Sequence, residues 1–348
     1  MSTEPLTKKR LVTLVAGLFI LLCLSWFRLS QSPIDETSGW YELRGETMGT
    51  TYVVKFFTED PALVATVGEE VESVLEMVNQ RMSTYRPDSE LSQFNLSGTE
   101  PRGLSAQLFH VMQTALTVSE ETGGAYDITV GPIVNAYGFG SELRVEFPSD
   151  EELTPLQALV GREHLTLDEE AKTIRKDIAE VYCDLSSIAK GYGVDVIVEK
   201  VLSPFENFFV ELGGEVRCQG VNPDGVPWRL AIEKPIEGVR SIHAVVSLQD
   251  QAMATSGNYR NFVYKDDQRI PHTIDPRTGR AVEQDLVSAT VLHETCGLAD
   301  AYATALMVLG EEDGLAFAEE KGLAVLLLVL ESDGSFREVR SSTFIAAK

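Results

Sequence analysis

The chain has 348 residues, 44% hydrophobic and 24% charged, a composition that argues against a mainly disordered, collagen-like or coiled-coil protein. Its 29 Lys and Arg against 53 Asp and Glu leave a formal net charge of −24, which argues against an electrostatic grip on a nucleic-acid backbone, so no nucleic-acid partner is expected. The four cysteines, Cys23, Cys183, Cys218 and Cys296, form no Cys-x-x-Cys pair, so a zinc ribbon and a dithiol redox motif are both absent from the sequence.

Lys8, Lys9 and Arg10 precede a charge-free apolar run over 11–27 that ends at Arg28, the layout of an export signal or a single membrane anchor. Its length is at the short end of what spans a bilayer. Leu22, rather than a small residue, precedes Cys23, which ranks an uncleaved anchor above lipidation at Cys23. Residues 1–29 are thus read as a signal or anchor, and the polar stretch 30–39, with Pro33, as a linker. Both placements put the remainder outside the cytoplasm, in one domain over 40–348.

Strands are predicted at 40–44 and 50–57. A helix over 62–81 carries Val67, Val71, Val74, Leu75 and Val78 on one face, and a second over 106–121 ends at Gly123-Gly124. Short helices follow at 129–137 and 151–159, then strands around Leu165, Ile174 and Val181 and a helix over about 187–202. From Phe208 the pattern turns to strands, at 208–212, 215–220, 229–233, 243–248 and 286–292. Helices at 298–309 and 313–320 precede closing strands at 324–330 and 336–339. The mixture reads as α+β, mostly antiparallel sheets with packed helices.

Four clusters carry chemistry. Asp184-Leu185-Ser186-Ser187-Ile188-Ala189-Lys190-Gly191 opens a helix, and a helix start offers backbone N–H groups to a phosphate; the plainer reading makes Asp184 and Ser186 N-caps. In His272-Thr273-Ile274-Asp275-Pro276, His272 can take a proton from a hydroxyl nucleophile, or the loop is only a turn; 254–261 suits a polar ligand or a hairpin turn. Asp300 and Thr304 stand four apart on one helix face, hard oxygen donors of the kind Mg²⁺ accepts, or else an ordinary helical pair. Met48, Tyr85 and Gly124-Ala125-Tyr126-Asp127 could sandwich a flat ring, although core packing is the default for Met48 and Tyr85 taken singly.

Taken in order, Met48-Gly49-Thr50, Met82-Ser83-Thr84-Tyr85, Tyr126-Asp127-Ile128-Thr129, the 184–192 segment, Glu211-Leu212-Gly213-Gly214-Glu215, Ala254-Thr255-Ser256-Gly257, His272-Thr273-Ile274-Asp275-Pro276 and Ala299-Asp300-Ala301 resemble the ApbE family of FAD:protein FMN transferases. The match runs from Met48 to Gly310. The resemblance implies an ApbE-like flavin transferase fold and a Mg²⁺-dependent enzyme. With FAD as substrate, it would join FMN to a Thr or Ser hydroxyl of a target flavoprotein, through a phosphoester bond and with release of AMP. Targets of the family are flavin-carrying subunits of membrane redox complexes, which fits a bacterial inner-membrane protein with its catalytic domain in the periplasm. By position, Met48, Tyr85, Ala125, Tyr126, Asp127, Asp184, Lys190 and Ile274 would contact FAD. Ser187, Asp300 and Thr304 would hold the metal, and His272 would be the general base. A Mg²⁺-dependent FAD pyrophosphatase and a non-catalytic FAD-binding protein remain open alternatives.

Overall fold

The computed structural model describes residues 39–141, 147–236, 241–258, 262–265 and 268–344, and the anchor and all but the last residue of the linker lie outside them. Among the described residues no helix is long and apolar enough to cross a membrane.

Strands β1 (Trp40–Thr47) and β2 (Thr50–Phe57) form a hairpin turned by Met48 and Gly49, both with positive φ. Helix α1 (Leu63–Met82) buries the predicted valine and leucine face, and α2 (Glu90–Asn95) follows, with Ser89 accepting from Ser92 N as its N-cap. After β3 (Arg102–Gly103) comes α3 (Ala106–Glu121), as predicted, capped by Ser105. A 3₁₀ turn at Ile128–Val130 leads into α4 (Gly131–Ala136), and α5 (Asp150–Gln157) starts with a Ser149/Glu152 capping box. Strands β4 (Leu165–Asp168) and β5 (Thr173–Lys176) pair with β3 in a small sheet.

Val181 lies in no strand. The carbonyl of Val181 takes a hydrogen bond from Lys176 Nζ, and Asn95 binds both the N–H and the C=O of Cys183, so side chains hold this segment in place of a ladder. The predicted 187–202 helix is α6 (Ala189–Ile197), continued by one π turn over Val198–Leu202.

The main sheet has eight strands, all antiparallel, in the order β1-β2-β6-β7-β10-β15-β16-β17, where β6 is Phe208–Leu212, β7 Glu215–Gln219, β10 Gln251–Gly257, β15 Leu286–His293, β16 Ala324–Leu330 and β17 Phe336–Arg340. The long helix α7 (Cys296–Lys321) joins the two helices predicted at 298–309 and 313–320 and breaks at Gly310, φ 84°. There Gln284 Nε2 donates to the Met307 carbonyl that the break releases. Helices α1, α3, α6 and α7 cover one face of the sheet. The hairpin of β8 (Trp228–Glu233) and β9 (Ile242–Leu248) covers the other.

Alternation sorts β10 between these faces, with Ala252 and Ala254 toward the helices and Met253 toward β8 and β9. The continuous apolar run of β16 divides likewise, Val325, Leu327 and Val329 against Leu326 and Leu328. Two short hairpins complete the fold, β11 (Phe262–Lys265) with β12 (Gln268–Pro271) and β13 (Ile274–Asp275) with β14 (Arg280–Ala281). The stretch 254–261, suited by sequence to a polar ligand or a hairpin turn, is over its first four residues the end of strand β10.

Candidate functional site

A cavity of about 940 Å³ opens between β2, the β6–β7 turn, the 125–139 segment, the start of α6, α7 and the β12–β13 loop. Every sequence-predicted site residue except Met48 lines it: Tyr85, Ala125, Tyr126, Asp127, Asp184, Ser187, Lys190, His272, Ile274, Asp300 and Thr304. Met48, in the β1–β2 turn, packs its half-buried side chain against the core on both sides of α1 and is not among the lining residues.

The flat-ring residues differ in setting. Tyr85 is 67% exposed at the rim, whereas Tyr126 is buried and its hydroxyl accepts from Ser187 Oγ at 3.2 Å. Burial pushes the Tyr126 phenol well above its ordinary pKa, so it stays protonated. The chain reaches Ala125 through Gly123 and Gly124, both at positive φ, which end α3. Asp127 has a structural task. Its Oδ1 accepts from Thr129 N at 2.8 Å and Thr129 Oγ1 at 2.6 Å; burial raises its carboxyl pKa against the pull of those bonds.

The 184–191 segment departs from the simple helix start. Asp184 Oδ1 accepts from Ser186 N at 2.8 Å in a local turn, and the residue preceding α6 is Ile188, with no side-chain cap. The N–H groups of Ile188 and Ala189 are taken by Leu185 O, and that of Gly191 by Asp300 Oδ2 at 3.2 Å. Most of this helix start therefore has no free N–H for a phosphate; positive charge at the cavity comes from Lys190.

Lys190 Nζ lies 3.4 Å from Asp300 Oδ2, 3.4 Å from Glu215 Oε1 and 3.2 Å from Ser186 O. Burial works against its charge, but Asp300 and Glu215 more than offset that and hold its pKa above the ordinary lysine value. Burial pushes the Glu215 carboxyl up, Lys190 draws it down and Asp300 pushes it up again. The sequence presents Glu215 only as the end of a Glu-Leu-Gly-Gly-Glu string. Its signal is the pair Gly213-Gly214, at positive φ, which closes the β6–β7 hairpin and sets Glu215 beside Lys190.

The sequence also missed two residues that position Asp300. A Cβ on Gly191 would stand 2.4 Å from Cys296 O and 2.8 Å from Gly297 Cα, so α6 and α7 touch backbone to backbone there. One helix turn on, Asp195 accepts from the N–H groups of Cys296 and Gly297 at 2.9 and 2.8 Å, capping α7 from outside, and Arg217 balances its charge at 2.6 Å. Four residues into α7, Asp300 is 3% exposed, and on the same helix face Thr304 shares a hydrogen bond of 3.1 Å with Ser256 Oγ of β10. Opposite, His272 stands edge-on to Phe139, ring centroids 6.3 Å apart.

Among the described residues no group of three His, Cys, Asp or Glu forms a metal cage. The wall offers oxygen donors instead, from Asp300, Thr304 and Ser187, with the buried Glu215 Oε2 lacking any hydrogen-bond partner nearby. A donor set of one or two carboxylates with neutral oxygens suits Mg²⁺, which leaves further positions to water and substrate phosphates.

Comparison with known proteins places the chain in a family. The model of the ApbE family matches residues 48–327. An FAD:protein FMN transferase of Vibrio cholerae serotype O1 is 49% identical over 307 residues, covering 87% of this chain and 91% of that protein. One from Haemophilus influenzae is 45% identical over 91% of this chain and 94% of its own. Among solved structures, the flavin transferase ApbE from Vibrio cholerae superposes with a TM-score of 0.81 at 47% identity, covering 88% of this chain and 98% of the other. The apo flavinyl transferase ApbE of Pseudomonas stutzeri gives 0.78 at 34% identity, covering 87% and 95%. The mixed helical and antiparallel architecture is thus that of the ApbE flavin transferases.

Proposed function

This chain belongs to the ApbE family, and from that membership we propose that it is an FAD:protein FMN transferase that joins FMN to a Thr or Ser hydroxyl of an exported or membrane flavoprotein and releases AMP. The observation that carries the reading is that Lys190, Asp184, Asp300, Thr304 and His272, separated by up to 120 positions, line one cavity with Tyr85 and Tyr126.

The reaction exchanges one P–O bond for another. The acceptor hydroxyl oxygen attacks the FMN-side phosphorus, the bond to the bridging oxygen breaks, and AMP leaves with that oxygen. His272 takes the hydroxyl proton, and the cavity orients the two reactants for in-line attack. Tyr85 at the rim and Tyr126 below it offer aromatic surface to the isoalloxazine ring. Lys190 supplies positive charge to a pyrophosphate that a chain of net charge −24 would otherwise repel. Asp300, Thr304 and Ser187 would hold Mg²⁺, which when bound neutralises charge on the phosphate oxygens. The N-terminal run 11–27 supports placement at the bacterial inner membrane with this domain on the periplasmic side.

Mass spectrometry of a candidate exported flavoprotein incubated with the protein, FAD and Mg²⁺, beside an EDTA control, tests the reading. The expected result is a target heavier by one FMN less water at a Thr or Ser, and no change with EDTA. Free FMN and AMP over an unmodified target would replace the transferase by a pyrophosphatase, and intact FAD would leave a binding protein.

A further inference from the structure

Glu215 has no part in the reaction above, yet the residue is only 4% exposed on the cavity wall and its Oε2 is buried without a hydrogen-bond partner. Leaving such an oxygen unpaired is costly unless some state of the protein pairs it. Its Oε1 and Asp300 Oδ2 are each 3.4 Å from the same Lys190 Nζ. Both contacts are longer than the roughly 2.7–2.9 Å of a tight charged hydrogen bond, so one ammonium is shared between two carboxylates and saturates neither. The aliphatic stem of Lys190 lies against the β6–β7 turn, Cδ at 3.3 Å from the position of a Cβ on Gly213, which confines movement to the end of the side chain.

A divalent cation on Asp300 would set like charges side by side in a poorly screened wall, and the ammonium would have to leave that carboxylate. We propose that Glu215 is a positioning residue that takes over the Lys190 ammonium when Asp300 engages a divalent cation, so that cation and lysine both face the substrate pyrophosphate. The free Oε2 is the acceptor that this exchange fills, and Ser186 O keeps a third hydrogen of the ammonium throughout. The inference rests on Asp300 being the cation-binding carboxylate of the proposed function.

The test is Mn²⁺ binding to the full-length protein, read by electron paramagnetic resonance of the free ion. The wild type is expected to bind and Asp300→Asn to lose binding, which checks the underlying reading by itself. Glu215→Gln is expected to weaken Mn²⁺ about tenfold, the usual scale for an outer-shell partner, because Lys190 then remains on Asp300. The same substitution in a Lys190→Met background is expected to cost less than about twofold, since the competing ammonium is gone. Glu215→Asp, which keeps the charge, is expected to retain most of the affinity. An unchanged Glu215→Gln affinity overturns the proposal, as does a Glu215→Asp loss as large as that of Gln. Tenfold weakening that persists without Lys190 also overturns it, and makes Glu215 a direct ligand. A wild type that binds no Mn²⁺ overturns it together with the cation site.

Discussion

Asp300 and His272 line the same cavity on supports of very different kinds. Asp300 stands on α7, which is capped from α6 by Asp195, pressed against Gly191 backbone to backbone and tied to β10 through Thr304 and Ser256. His272 precedes a two-strand hairpin held by one local pair, Asp275 with Arg277, and by single bonds to other segments, Thr273 Oγ1 to Asn258 at 2.7 Å and Gln157 Nε2 to Pro276 O at 2.7 Å. On the α7 side the geometry of the charged groups is part of the fold's own packing. On the hairpin side Ile274 packs with Ile133 and Leu153, whereas His272 lines the cavity and is not a member of that cluster. Function and stability should therefore separate at His272 but not at Asp300, whose carboxylate is itself bonded into the wall.

The largest effect is expected from Asp300→Ala, which removes the buried carboxylate without adding bulk. Transfer should fall about 10³-fold, some 4 kcal/mol, and the thermal midpoint should drop as well, because Lys190 and the Gly191 N–H lose a buried partner. Full activity would remove Asp300 from the mechanism. Next is Gly191→Ala. Its methyl group would meet backbone atoms that cannot rotate away, so α6 and α7 must part, at a cost of about 3 kcal/mol in urea unfolding and with loss of FAD binding. A wild-type midpoint would show that this contact yields and that the helical wall is softer than its packing implies. On the other wall, His272→Ala should slow transfer about 10²-fold with FAD affinity and stability retained. Unchanged turnover across several pH values would eliminate His272 as the base.

Elements with a clear period were legible in the sequence, as were Asp300, Lys190 and His272 among the charged positions. The valine face of α1 and the four-residue step from Asp300 to Thr304 are local facts that survive folding. Strand β10 was not legible because Gln-Ala-Met-Ala-Thr-Ser-Gly has weak strand preference; β7 and β15 on either side supply the ladder that makes it a strand. Val181 misled in the opposite sense, with a strand-like neighbourhood whose backbone is bound by the side chains of Lys176 and Asn95. The helix start at 184–191 left a phosphate site open beside the plainer N-cap reading because the sequence does not show that Asp300, more than a hundred residues on, takes the Gly191 N–H. Glu215 and Asp195 were missed for the same reason. Their roles come from partners that only the crossing of the β6–β7 hairpin, α6 and α7 brings near.

A smaller effect asks how far from the cavity the bracing of α7 extends. Glu121, at the end of α3, accepts from Tyr302 at 2.6 Å and from Lys321 at 2.8 Å, joining both ends of α7 to one carboxylate. Burial alone would raise its pKa, but the bonds from Lys321 and Tyr302 outweigh that and hold the carboxyl below its ordinary value of 4.5. A carboxyl whose folded pKa is depressed contributes stability that is complete above its unfolded value and is lost as pH falls through the folded one. Glu121→Gln should therefore cost about 1 kcal/mol at pH 7, and its melting curve should converge on that of the wild type as the solution is acidified below 4.5. FMN transfer at pH 7 should stay within about twofold of the wild type if Asp195 and Gly191 alone place Asp300. A much larger loss of transfer at unchanged fold would extend the rigid wall of the cavity to the far side of α7, and the contrast with the His272 hairpin would then be wider than the local contacts suggest.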